Sequence, residues 1–146
     1  MNILFLDREP SLAAKRHTDQ QVRDGVTTYA MILSAALRIT KSRTDEFVYE
    51  ADEDENHPCV LWAAESMSHW RWLWLLGHHV GNEYSKRFND IHGDTRMLRC
   101  MPAPTKIRDI GWADPPQYVP EEHKSDDVVT AYRNYCSTEE VDILSR

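Results

Sequence analysis

Val22, Val26, Tyr29, Ala30, Leu33 and Leu37 recur along the chain at intervals of mostly three and four residues. A helix turning once per 3.6 residues puts such positions on one side, so the spacing predicts a helix with a continuous apolar face, off which Arg23, Asp24 and Thr27 fall. Thr18 or Asp19 suits its N-cap, and the pattern runs to about Ile39. An apolar face of that length needs a partner. The predicted partner is a second long helix, which begins after a cap at Ser66 or Ser68, carries the run His69, Trp70, Trp72, Leu73, Trp74 and Leu76, and ends at Phe88. Gly77 and Gly81, four apart, leave one face of it without side chains, which suits close helix packing.

The remaining segments read as shorter pieces around this pair. Residues 1–6 form a short buried strand or extended segment, ended by Asp7-Arg8-Glu9-Pro10. Pro10 opens a short helix over 11–16, and Asn56 or His57 with Pro58 opens another that carries Val60, Leu61 and Trp62. Residues 93–101 suit one more. Five prolines from Pro102 to Pro120 then preclude regular structure, and Trp112 and Tyr118 among them predict a strap that packs across the helices over about 101–124. Ser125 or Asp126 caps a last helix bearing Val128, Val129, Tyr132, Tyr135 and Cys136, with a tail that frays from Ser137. The expected fold is mainly α, a compact single-domain helical bundle spanning the 146 residues.

Charge bounds the partners. The formal net charge is −7, but seven of the 24 acidic residues fall in 45–55, inside an expected acidic loop over 41–55, and the rest of the chain balances 17 acidic against 17 basic residues. A local basic groove therefore remains compatible with the total charge. No apolar run approaches the ~20 residues that cross a bilayer, and the N-terminus lacks the basic leader of a signal peptide, so no membrane partner is expected and the chain is expected to start at Met1. Cys59, Cys100 and Cys136 are too few and too far apart for a disulfide framework or a zinc knuckle, which points to a reducing cytoplasm.

Chemistry is sparser. The seven histidines include no i, i+4 pair or HExxH pattern, and adjacent His78 and His79 diverge by about 100° on a helix, so a metal centre would need residues joined by the fold, such as His17, His57 and His92. No phosphate loop or serine-nucleophile elbow is present, and no metal or cofactor is expected. The polar residues that remain, Asp7, His17, Asp19, Asn56, His57, Glu83, Arg87 and His92, lie at helix starts or on the long second helix. Helix N-termini attract anions, which makes Asp19 and His57 neighbours of a possible phosphate, although capping accounts for both equally well. Glu83 and Arg87 have the order and spacing of a helical ion pair.

The opening residues 1–7, His17-Thr18-Asp19, Asn56-His57-Pro58-Cys59 with Trp62, Glu83-Tyr84 with Arg87 and His92, and Tyr132-Arg133-Asn134-Tyr135 together resemble an uncharacterised family of small phage proteins. That likeness covers nearly the whole chain. In layout the chain more distantly resembles the pyrimidine-dimer DNA glycosylases of the phage endonuclease V type, compact helical proteins whose N-terminal α-amine attacks a sugar carbon while a helix glutamate assists. An α-amine titrates near about 7.7–8.0, so part of it is neutral and nucleophilic at neutral pH, unlike a lysine amine. Asn2 is too bulky for ordinary removal of the initiator methionine, so the amine here would be that of Met1. Gln20-Gln21 stands where the phage pattern has Lys-His, and Thr28 where the helix glutamate aligns, which leaves Asp24 or Glu83 to substitute.

The resemblance implies an enzyme directed at DNA or a nucleotide in the host cytoplasm, best described as DNA glycosylase/lyase-like. It places His17, Asp19, His57 and Glu83 in catalytic roles, and Asp7, Asn56, Arg87, His92, Tyr132 and Arg133 in substrate or phosphate binding. The alternative is a non-catalytic phage accessory protein that binds a host or phage protein through the acidic loop or the strap.

Overall fold

The computed structural model describes residues 1–42 and 56–144, with side chains described as far as Ser137. Among these, six helices and no strand occur: α1 (Pro10–Lys15), α2 (Asp19–Ile39), α3 (Pro58–Glu65), α4 (Met67–Phe88), α5 (Thr95–Cys100) and α6 (Val128–Leu144), with a 3₁₀ turn at Glu121–His123. The mainly helical class is as expected. The acidic loop lies, from 43 to 55, outside the described residues.

Helix α4 is the hub, packing on α1, α2, α3 and α5. The predicted face of α2 is wholly buried, from Val22 through Tyr29 to Leu37. Its start is a capping box: the Thr18 hydroxyl accepts from Gln21 N–H at 3.2 Å, and Gln21 Oε1 accepts from Thr18 N–H at 2.9 Å, so two otherwise orphaned donors are satisfied. The close approach of α5 to α4 depends on glycine. Leu98 lies over Gly77, where a Cβ would run into its side chain, whereas a Cβ on Gly81 would meet Thr95 in ordinary contact.

All five tryptophans anchor their indole N–H groups. Trp62 donates to Ala113 O at 2.9 Å, Trp72 to Arg8 O at 2.9 Å, Trp74 to Leu98 O at 3.0 Å and Trp70 to Leu33 O at 3.4 Å, while Trp112 donates to Asp114 Oδ1 at 2.9 Å. The rings supply apolar area, and every N–H but that of Trp112, which bonds within the strap, pins one element to another. The strap is built the same way. Buried His69 has one ring nitrogen 2.8 Å from Trp62 O and accepts Ala113 N–H on the other at 2.9 Å, while its ring stacks on Trp62 at 4.3 Å. Trp112 then closes edge-on over both rings.

Several local expectations need correction. Of the two alternatives for residues 1–6, the buried segment forms and the strand does not: Ile3, Phe5 and Leu6 are buried, and Phe5 and Leu6 donate their N–H groups two residues back, to Ile3 O and Leu4 O, so three-residue turns satisfy the backbone without a ladder. Ser66 occupies the N-cap of α4 without capping it. Its hydroxyl instead donates to Asp109 and accepts Ile110 N–H, tying the strap to the α3–α4 corner. Neither Ser125 nor Asp126 caps α6; the Asp127 carboxylate does, accepting Thr130 N–H at 3.1 Å, three residues on as an N-cap should. Helix α6 also continues to Leu144, since nothing from Ser137 onward is a glycine or proline that would break it.

Candidate functional site

The polar residues singled out from the sequence do not converge on one cavity. Arg87 is a structural clamp. From the end of α4 it donates to Glu83 at 3.0 Å, to the backbone oxygens of His17 at 2.7 Å and Lys15 at 3.1 Å, and to Asp19 at 3.2 Å. Its fork is spent on closing the α1–α2 corner, and Glu83 and Asp19 flank it there. The same economy appears at Asp7. One of its oxygens accepts Glu9 N–H at 3.0 Å, and the other faces Arg133 at 3.3 Å, while Arg133 Nε donates to Leu6 O at 2.9 Å and so ties α6 to the N-terminal segment.

His17 is 2% exposed and uses both ring nitrogens inside the protein. Because Ala13 O at 2.7 Å only accepts, Nδ1 carries the proton and Nε2 accepts from the Tyr29 hydroxyl at 2.7 Å. The Tyr29 oxygen in turn accepts Leu4 N–H at 3.3 Å. Burial, the main cause, lowers the His17 imidazole from 6.5 to about 4, so it stays neutral through the physiological range. His57 caps α3, accepting Cys59 N–H at 3.1 Å, with its ring edge-on to Tyr118, while Asn56 sits exposed in the turn before it. His92 pins the α4–α5 loop onto α2 through Arg23 O at 2.9 Å, and Thr27 bonds Asp94 beside it. Tyr132 is fully buried. Apart from the cluster of Arg87 with Glu83, Asp19 and the His17 backbone, these residues hold elements together at separate places, and no three His, Cys, Asp or Glu side chains among the described residues converge as a metal site.

A pocket of about 260 Å³ opens instead at the start of the chain. One wall is a stripe of α2, Gln21, Asp24, Gly25 and Thr28, spaced i, i+3, i+4 and i+7, with Tyr29 beside it. Met1, Asn2 and Leu4 form a second wall and Tyr135 of α6 a third. The volume lies below the ~300–1,000 Å³ of drug-sized ligand sites, so it suits a group the size of one base or sugar. Gly25 serves the packing behind this wall: a Cβ on it would come within 3.2 Å of Val80 on α4 and 3.3 Å of Tyr29. Asp24 is the single acidic residue among the described lining, which includes no Lys or Arg, and Gln20 donates to its carboxylate at 3.1 Å.

Of the two carboxylates that the expected resemblance offered in place of a helix glutamate, Asp24 lines the pocket that Met1 borders, whereas Glu83 pairs with Arg87 and is not among the lining residues. Tyr29 joins the pocket to His17, a predicted site residue directly behind its wall. The polar stripe 21, 24, 25 and 28 was visible as spacing in the sequence, but nothing there distinguished a pocket wall from a solvated face. Compared with models of protein families, with curated proteins and with solved structures, the chain matches none.

Proposed function

We propose that this protein is a nucleic-acid-directed enzyme of glycosylase/lyase type that works from the N-terminal pocket, with the Met1 α-amine as nucleophile and Asp24 as acid and base. The observation that supports it is the meeting of Met1 and Asp24 in one sugar-sized pocket. A neutral amine attacks C1′ of the sugar, the C–N bond to the base breaks, and the base leaves with the bonding pair and takes up a proton. Asp24 accepts the proton released by the amine and passes it to the ring oxygen as the ring opens, which gives an imine between Met1 and C1′. Loss of a proton from C2′ then expels the 3′ phosphate and cuts the strand.

The chemistry then lies with Met1 and Asp24 and not with His17, Asp19, His57 and Glu83. His17 supports the pocket wall through Tyr29. The absence of Lys and Arg from the described lining favours a second, narrower reading, in which an uncharged nucleoside is the substrate and no phosphate enters the pocket.

The test is incubation at low salt with ultraviolet-irradiated and abasic-site oligonucleotides in the presence of borohydride, which reduces an imine to a stable adduct. A damage-dependent nick and an adduct that maps to Met1 are expected. Asp24→Asn should slow the reaction by roughly 10²-fold or more, as loss of a general acid/base does. An extension that blocks the Met1 amine should abolish it. Strand nicking with no adduct at Met1, or full turnover in the extended protein, would sink the proposal; nucleoside cleavage without DNA cleavage would favour the second reading.

A further inference from the structure

We infer that Asn2 and Tyr132 form a positioning clamp for the Met1 amine, an inference that rests on the pocket chemistry proposed above. The Asn2 side chain is tied on every side. Its Oδ1 accepts from Ile3 N–H at 2.8 Å and lies 2.9 Å from the Tyr132 hydroxyl, whose single proton it shares with Pro116 O, with Cys59 Sγ at 3.8 Å, and its Nδ2 donates to Tyr118 O at 2.9 Å. One side chain thus joins the N-terminal segment to α3, α6 and the strap.

Tyr132 is the fixed end of the clamp. Its ring is fully buried, its hydroxyl lies 2.9 Å from Asn2 Oδ1 and 2.7 Å from Pro116 O, and it accepts Tyr118 N–H at 3.3 Å. Burial, the main cause, raises the phenol well above its ordinary range, so the hydroxyl remains a neutral donor. The Met1 amine stands three covalent bonds from the Asn2 amide nitrogen. Immobilising residue 2 therefore confines the amine to the few positions that rotation within residue 1 allows, beside the α2 stripe. A terminal residue left to fray would spend little time there.

Neither clamp residue touches the reacting atoms, and their contribution is orientation. A misplacement of about 1 Å costs up to roughly 10²-fold in rate even when every reacting group is present. The clamp also accounts for Tyr132, which the sequence placed in substrate binding but which is sealed from the pocket.

Tyr132→Phe removes the hydroxyl and keeps the ring; Asn2→Gln keeps an amide but shifts it by one methylene and retains a bulky second residue. With an abasic-site oligonucleotide and borohydride, both variants are expected to form the Met1 adduct roughly 10- to 100-fold more slowly at saturating oligonucleotide, with helical circular dichroism unchanged in both and half-saturation unchanged in Tyr132→Phe, whose ring lies outside the pocket lining. A residue with only a structural role would leave the saturating rate alone below the melting temperature. Wild-type rates in both folded variants would overturn the clamp and leave the proposed function standing. If Tyr132→Phe does not fold, Asn2→Gln alone decides. Absence of any Met1 adduct in the unmodified protein would overturn the proposed function, and the clamp with it.

Discussion

His17 makes the stability of this fold sensitive to mild acid in a calculable way. In the unfolded chain its imidazole titrates near 6.5, whereas burial lowers it to about 4 in the folded protein. Between these values the unfolded state binds a proton that the folded state refuses, so the stabilisation is complete above pH 6.5 and is progressively lost as pH falls toward 4. Lowering the pH from 7 to 5 should cost about 2 kcal/mol from this group alone, rising to about 3 kcal/mol by pH 4. Geometry gives the same sign. Protonation removes the acceptor for the Tyr29 hydroxyl, which loses its partner within a buried network.

Urea unfolding followed by circular dichroism at intervals from pH 7 to pH 5, for the natural chain and His17→Gln, isolates the effect. His78, whose imidazole is also lowered by burial, is present in both chains and cancels. Asp109, lowered chiefly by its hydrogen bond from Ser68, Asp114, chiefly by Arg8, and Asp127, chiefly by Thr130, lose their contributions as pH falls through values below the ordinary 3.8, beneath this window. The natural chain should therefore fall more steeply than the variant by about 2 kcal/mol. Parallel pH profiles would refute the argument, because they would mean that His17 takes up its proton in the folded state at little cost.

Two further predictions concern packing and capping. Gly77→Ala directs a methyl group into the Leu98 side chain and should destabilise the protein by about 1–3 kcal/mol, and Leu98→Ala, which empties a buried site, should cost less in the Gly77→Ala background than alone; thermal melts of both single variants and the double variant check this. Thr18→Ala removes half of the capping box at α2 and should cost about 1 kcal/mol in urea unfolding.

Much of the fold was legible because its causes are local. The period-3.6 face of α2, the proline that opens α3, the aromatic run of α4 and the proline-broken strap depend on residues close in sequence, so spacing and turn chemistry carry them. The caps were less legible. Ser66, Ser125 and Asp126 are all competent capping residues, and the choice among competent side chains depends on what else each one touches: Ser66 turns to the strap, and Asp127 is the one placed to reach Thr130.

The site was least legible, and the reason is physical. Arg87, Asp7, His57 and His92 have the chemistry of ligand-binding groups, but a charged or aromatic polar side chain at an element's end can equally bind a backbone carbonyl or amide from another element. Only tertiary contacts decide which occurs, and here Arg87 spends its donors on His17 O, Lys15 O, Glu83 and Asp19. The pocket has the converse history. Met1 and Asn2, Asp24 on α2 and Tyr135 on α6 are separated by more than a hundred residues at the extremes, so no local pattern joins them. The sequence by itself determined the helices and their apolar faces, because side-chain spacing and backbone geometry act over a few residues. Which polar groups were consumed in holding those helices together, and which were left around a cavity, was decided only when the helices packed.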